Sequence, residues 1–233
     1  MLLLGIETAT PQVGCAIGGH EGVLASFHAA RGRRHAEVLV PAIDFVRRQA
    51  LIELDEISAI AVDVGPGLFT GLRVGIATAK AMAHALRVPM IGVSSLDLLA
   101  FSVRYSHRLI VPAIDARRRE LFYSFYRQVP GGVQRETPYL IGTPDDLASE
   151  LLARGHDCLV VGDGALRYPE AFGDAARIEV ASAFNAYPSA ASLVQLAHPR
   201  ALREEFVQPW ELEPLYLRRS DAEIAWEERR TRA

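Results

Sequence analysis

The sequence predicts an α/β protein of two related units, each a mixed sheet flanked by helices, and three observations carry that prediction. Short apolar runs joined by tight turns open the chain, helix and strand patterns then alternate, and a less complete copy of the series follows. At 233 residues the chain is long enough for one sizeable domain or two small packed ones.

Leu2–Ile6, Val13–Ile17 and Val23–Phe27 read as three strands of an antiparallel meander, separated by Thr8-Ala9-Thr10-Pro11 and by a turn rich in glycine. Arg31 to Arg34 form a basic loop. From His35 to about Gln49, Val38, Leu39, Ala42, Ile43, Phe45 and Val46 recur at helical spacing, and Pro41 inside the pattern predicts a kink. Ile57–Val64 is a dense apolar strand interrupted by Asp63. A helix over Leu72–Leu86, a strand over Val88–Val93 and a short helix over Leu96–Phe101 complete a βββ-α-β-α-β-α series. That order is the pattern of a ribonuclease H-like layer.

The second copy starts with Leu109–Ile114 and Glu120–Arg127, paired around Asp115-Ala116-Arg117-Arg118-Arg119, with a third strand near Tyr139-Leu140-Ile141. Thr143-Pro144-Asp145-Asp146 is a helix start, with a threonine cap, a proline in the first turn and acids at the positive helix end. A strand at Leu159–Val161 and a helix at Ser189–Ala197 follow. The expected organisation is residues 1–103, residues 104–221 and a charged tail at 222–233, with a cleft between the two units.

Composition narrows the function classes. A formal charge of −3 argues against a general nucleic-acid coat, and no apolar run reaches the ~20 residues that span a bilayer. An early acid and no leading basic residue give no secretion signal, and Cys15 and Cys158 form no ligand-spaced pair. A reduced, cytoplasmic protein without membrane partners is expected. Lys80 is the single lysine among 25 basic residues, which removes most lysine chemistry.

The most informative segment is the glycine loop from Gly65 to Gly75, placed between a buried strand and a helix. Such a loop either cradles a phosphate on free backbone N–H groups or is a tight turn that lets a small-residue helix approach a sheet. It lacks the Gly-Lys-Ser/Thr of a Walker A loop, and the next strand ends in Val93-Ser94-Ser95 where a dinucleotide site wants an acid. The following helix is apolar nearly all round, so it must be covered on more than one side. His35 and Glu37 point in different directions, so a solvent-facing or capping role is expected for the histidine. Asp115 lacks a partner of suitable spacing and reads as part of a solvated hairpin tip; the arginines beside it are candidate phosphate contacts if other basic residues converge there.

Gly5-Ile6-Glu7-Thr8-Ala9-Thr10, His35-Ala36-Glu37, the Gly65–Gly75 loop, Pro112-Ala113-Ile114-Asp115-Ala116-Arg117 and Glu213-Pro214-Leu215-Tyr216-Leu217-Arg218 occur in this order. Together they resemble the TsaB family, accessory subunits of the bacterial machinery that makes threonylcarbamoyladenosine in tRNA and paralogues of its catalytic subunit TsaD. The resemblance spans almost the whole chain and implies the actin/sugar-kinase-like fold. It implies a non-catalytic scaffold that binds and stabilises TsaD, recruits the ATPase TsaE, pairs with itself when TsaD is absent, and meets tRNA only through the complex.

In TsaD a His-x-x-x-His pair holds a metal; the corresponding positions here are Ser95 and Leu99, so no catalytic residue and no metal ligand is expected. Glu7, Thr8, Gly65, Gly67 and Gly71 are then a degenerate phosphate loop, with no cofactor required and at most vestigial nucleotide binding. Val38, Ala42, Phe69, Arg73, Ala79 and Ala83 are the candidate partner-binding residues. Two other readings stay open: a small nucleotide-dependent phosphotransferase or glycoprotease-like metallopeptidase, and a homodimeric binding module with no tRNA role.

Overall fold

The computed structural model describes residues 1–30, 34–173 and 176–218. The first unit contains β1 (Leu2–Glu7), β2 (Val13–Gly19), β3 (Gly22–Ala29), α1 (His35–Ala50), β4 (Ile57–Gly65), α2 (Phe69–Leu86), β5 (Met90–Ser94) and α3 (Ser95–Ser102). Its sheet runs β3-β2-β1-β4-β5, with β1, β2 and β3 antiparallel and β1, β4 and β5 parallel. The second unit contains β6 (Leu109–Arg117), β7 (Glu120–Tyr123), β8 (Tyr126–Val129), β9 (Gly132–Arg135), β10 (Leu140–Gly142) and α4 (Pro144–Arg154). It continues through β11 (Cys158–Val161), α5 (Asp163–Arg167), α6 (Pro169–Phe172), β12 (Ile178–Val180) and α7 (Ala190–Leu202).

The second sheet runs β10-β7-β6-β11-β12, again with the first three strands antiparallel and the last three parallel. The two sheets therefore share one strand order, and the β8–β9 hairpin is an addition paired to β6. This is the duplicated, actin/sugar-kinase-like arrangement that the sequence predicts.

Alternation along the strands assigns the two faces of the first sheet. Leu4, Ile6, Ile60 and Val62 pack beneath α1 and α2 with Leu39, Ile43, Leu72 and Ile76. Leu3, Ala59 and Ala61 face the opposite way, against Leu193, Val194 and Ala197 of α7. Each fully buried aliphatic side chain of these layers contributes roughly 1.5–3 kcal/mol.

Several expectations are corrected. Helix α7, assigned by sequence to the 104–221 unit, packs on the first sheet, where small residues let it approach closely; a Cβ on Gly5 would lie 2.9 Å from Val194 Cγ2. The boundary between units is therefore not one cut in the chain. Helix α1 runs without interruption through Pro41, whose ring is exposed, so the carbonyl left without a partner can be hydrated. Helix α2 starts at Phe69, ahead of the apolar pattern, because the Leu72 N–H donates to the Leu68 carbonyl at 2.9 Å.

The expected strand Glu120–Arg127 breaks after Tyr123, where the buried Ser124 hydroxyl donates to the Thr137 carbonyl at 3.0 Å and the Phe125 N–H to Thr137 Oγ1 at 3.2 Å. The Thr143 cap forms as read: its hydroxyl accepts from the Asp146 N–H at 3.1 Å, and the Asp146 carboxylate accepts from the Thr143 N–H. Among the described residues no helix is long and apolar enough to cross a membrane. Arg31, Arg33 and the tail at 222–233 lie outside the described residues.

Candidate functional site

The carboxyl ends of the neighbouring inner strands β1 and β4, the glycine loop and the start of α2 meet at one end of the first sheet. The glycines there are needed for close packing of the chain on itself. A Cβ on Gly67 would overlap the Ala9 carbonyl, one on Gly71 the Thr8 carbonyl, and one on Gly75 the Thr8 hydroxyl. The Leu68 N–H donates to the Ala9 carbonyl at 2.6 Å, and the Thr8 hydroxyl donates to the Gly71 carbonyl at 2.8 Å. Gly65 takes φ +103, a conformation that favours glycine, with the Leu215 carbonyl close by. The geometry shows the loop packed as a tight turn against residues 8 and 9.

Two acids are buried beside this loop. Glu7 Oε1 accepts from the Ala9 N–H at 2.9 Å, and Glu7 Oε2 has no partner. Asp63 Oδ1 accepts from the Gly65 N–H at 2.7 Å and from the Ser95 hydroxyl at 2.6 Å, while Oδ2 has no partner. Burial pushes the Asp63 carboxyl up to about 7. Burial, with the Asp63 charge beside it, raises Glu7 well above the usual carboxylate range. Asp63 was legible only as a charge inside an apolar strand, and that is the signal that marks it.

His35 is buried, against the expectation of a solvent-facing or capping role, and its Nε2–H donates to the Thr10 carbonyl at 2.8 Å. It pins the start of α1 onto the 8–10 turn. Asp115 is buried too, which corrects the solvated hairpin tip. It accepts from the Arg117 N–H and guanidinium, both at 3.0 Å, and pairs with Arg167 at 3.4 Å. Ser95 is committed to Asp63, and Leu99 lies in the apolar layer between the units. A neutral hydroxyl hydrogen-bonded to Asp63 and an alkyl group are not metal ligands, and no cluster of three or more metal-ligating side chains occurs among the described residues.

The candidate partner-binding residues divide. Ala42, Ala79 and Ala83 face the core and touch no outside surface, because β1, β2 and β4 lie directly beneath those faces of α1 and α2. Val38 is half-buried. Phe69 and Arg73 form a surface stack with the 212–218 segment: Phe69 lies 5.2 Å from the Tyr216 ring, and the Arg73 guanidinium 3.8 Å above Phe69. This stack, the Leu215 N–H donating to Val64 O at 2.7 Å and the Arg218–Glu120 pair at 2.7 Å draw the 212–218 segment across both units. It narrows the cleft near Gly67, Asp115 and Tyr216 to about 100 Å3.

The outward faces of the same two helices carry what the alanine pattern missed. Val40 is 59% and Phe45 51% exposed on opposite flanks of α1; between them the outward face carries Glu37, Pro41, Asp44 and Arg48, and Phe45 packs edge-on against Phe27 at 6.4 Å. On α2 the exposed positions Thr70, Arg73, Ala77, Ala81, His84 and Ala85 recur at helical spacing, flanked by half-buried Val74.

Comparison with known proteins gives one consistent answer. Residues 23–226 match the family model described as TsaD, tRNA N6-adenosine threonylcarbamoyltransferase. The tRNA threonylcarbamoyladenosine biosynthesis protein TsaB of Bacillus subtilis is 28% identical over 97% of this chain and 98% of its own length. An uncharacterized protein of Mycobacterium leprae is 36% identical over 95% of this chain, which spans 56% of that protein. The crystal structure of YeaZ from Pseudomonas aeruginosa superposes with a TM-score of 0.81 at 28% identity, covering 93% of this chain and 99% of that one.

Proposed function

This chain belongs to the family of TsaD, the tRNA N6-adenosine threonylcarbamoyltransferase, and we propose that it serves there as a non-catalytic partner subunit. Its full-length likeness is to the TsaB proteins, and it takes part in tRNA threonylcarbamoyladenosine biosynthesis. In this reading it binds and stabilises TsaD, allows TsaE to join, and contributes no reacting group and no required cofactor; tRNA is met through the complex. The same surface pairs two copies of the chain when TsaD is absent.

The exposed small-residue stripe on α2 is the observation that carries the proposal. Ala77, Ala81 and Ala85 keep side-chain bulk low along α2, so a partner helix could pack at the ~8–10 Å axial separation of close helix pairs. Val40 on α1 adds apolar area that water solvates poorly. The phosphotransferase reading needs an open phosphate loop, and the contacts of Gly67 and Gly71 with the 8–9 backbone and of Gly75 with the Thr8 hydroxyl work against it. The metallopeptidase reading needs ligands that Ser95 and Leu99 do not supply.

Reconstitution tests the proposal. Threonylcarbamoyl-adenylate, tRNA, TsaD and TsaE are combined with and without this chain, and modified adenosine is counted. Modification that depends on the chain, with no turnover by the chain alone, is the expected result; equal modification in its absence overturns the reading.

A further inference from the structure

A second cavity, of about 370 Å3, lies on the other side of the junction between the units, away from the glycine loop, and nothing in the proposed role uses it. Its walls come from α3, the β8–β9 hairpin with the Tyr139 segment behind it, and α7. At its base the Tyr126 hydroxyl donates to Asp97 Oδ1 at 2.6 Å and the Tyr139 hydroxyl to Oδ2 at 3.0 Å. Burial and the Asp97 charge hold both phenols well above their usual range, Tyr139 at about 12, so they remain donors and the aspartate is hydrogen-bonded on both oxygens.

Cations stand above that satisfied base. The Arg135 guanidinium lines the cavity and lies 3.9 Å over the Tyr139 ring, a stack that uses its face and not its N–H groups. Arg200 gives one N–H to the Gly92 carbonyl at 2.8 Å and pairs through Nε with Glu205 at 3.4 Å. Val133 and Leu196 supply apolar wall. The one carboxylate in the lining, Asp97, already accepts a hydrogen bond on each oxygen, while the two guanidinium groups keep N–H groups that no contact within the cavity uses.

We infer that this cavity binds a small organic anion, a carboxylate or phosphate monoester on an apolar or aromatic body, with the charged group on Arg135 and Arg200 and the body against Val133 and Leu196. A guanidinium fork fits either anion in the same bidentate manner, so both are named. The size is that of a site for a small ligand.

Phenyl phosphate and benzoate are the probes, benzyl alcohol is the uncharged control, and binding is followed on the full chain by calorimetry and by amide chemical shifts. Saturable binding of at least one anion, with shifts in β9 and α7 and none for the alcohol, is expected. The phosphate and carboxylate arms show which anion is preferred. Arg135→Gln should weaken binding tenfold or more, and because the exposed Arg135 side chain stacks on Tyr139 while only its backbone pairs with Tyr126, this variant should fold normally. Arg200→Gln, which loses the Gly92 contact, is read only alongside it. Arg218→Gln, in the other cleft, should bind as the unaltered chain does. Absence of saturable binding by both anions, equal binding of the alcohol, or indifference to Arg135→Gln overturns the inference, and none of these bears on the subunit role.

Discussion

Gly75 and Thr8, far apart in sequence, are in contact so close that any Cβ on Gly75 would occupy the position of the Thr8 hydroxyl. Gly67 and Gly71 meet the Ala9 and Thr8 carbonyls in the same way, so three glycines of one loop are set against one turn. In such a seam a methyl group forces backbone to move, where a looser site would only lose a little space.

Gly67→Ala and Gly71→Ala are therefore expected to destabilise the fold by about 2–3 kcal/mol each, the scale of overpacking against backbone. Urea unfolding measures it. Gly132→Ala, with open space around its Cβ position, is the control and should change stability little.

The acids beside this seam make stability depend on pH. Unfolded Asp and Glu titrate near pH 4, whereas native Asp63 is pushed up to about 7 and Glu7 is raised as well. Each native group holds its proton more tightly than the unfolded one, so the native state is favoured below about pH 4. That advantage is lost as pH rises towards 7. The loss is on the order of a few kcal/mol. Asp63→Asn keeps the acceptor for Gly65 and Ser95 and places an N–H group at the oxygen without a partner. It should flatten the profile and raise stability at pH 8. A variant as pH-sensitive as the unaltered chain between pH 5 and 8 would contradict this account.

The partner surface gives a paired prediction. Ala81→Glu and Val40→Glu, on exposed positions, should weaken association with TsaD tenfold or more, about 1.4 kcal/mol, while the free chain keeps its stability within about 0.5 kcal/mol. Ala79→Glu, buried beneath α2, should unfold the chain. Sedimentation with and without TsaD, together with thermal melts, separates the two effects. Unimpaired association of Ala81→Glu and Val40→Glu would remove this face from the interface.

Helix α4 offers a local test. Thr143→Ala removes the cap that accepts from the Asp146 N–H, and should cost ~1 kcal/mol. The melting temperature should fall by about 2–4 °C for a domain of this size. Thr143→Ser, which keeps the oxygen, should behave like the unaltered chain.

Local pattern was enough for the meander, the alternation after it, the duplicated order and the capped start of α4, because each is encoded by neighbours a few residues apart. The strand break at Ser124 and the short α5, α6 and β12 were not visible, since they depend on partners such as Thr137 or are too short to show a period. His35 and Asp115 were read as exposed because their partners, Thr10 and Arg167, come from other parts of the chain.

The order of residues by itself determined the two sheets, the glycine loop and the absence of histidine at positions 95 and 99. Tertiary structure alone decided which face of α2 is outside, that α7 returns to the first sheet, and that the loop closes on the 8–10 turn. The physical reason is common to all three. A helix that is apolar on nearly every side carries no mark of which side is buried, and a glycine does not say which neighbour will approach it; that is set by packing of residues distant in sequence.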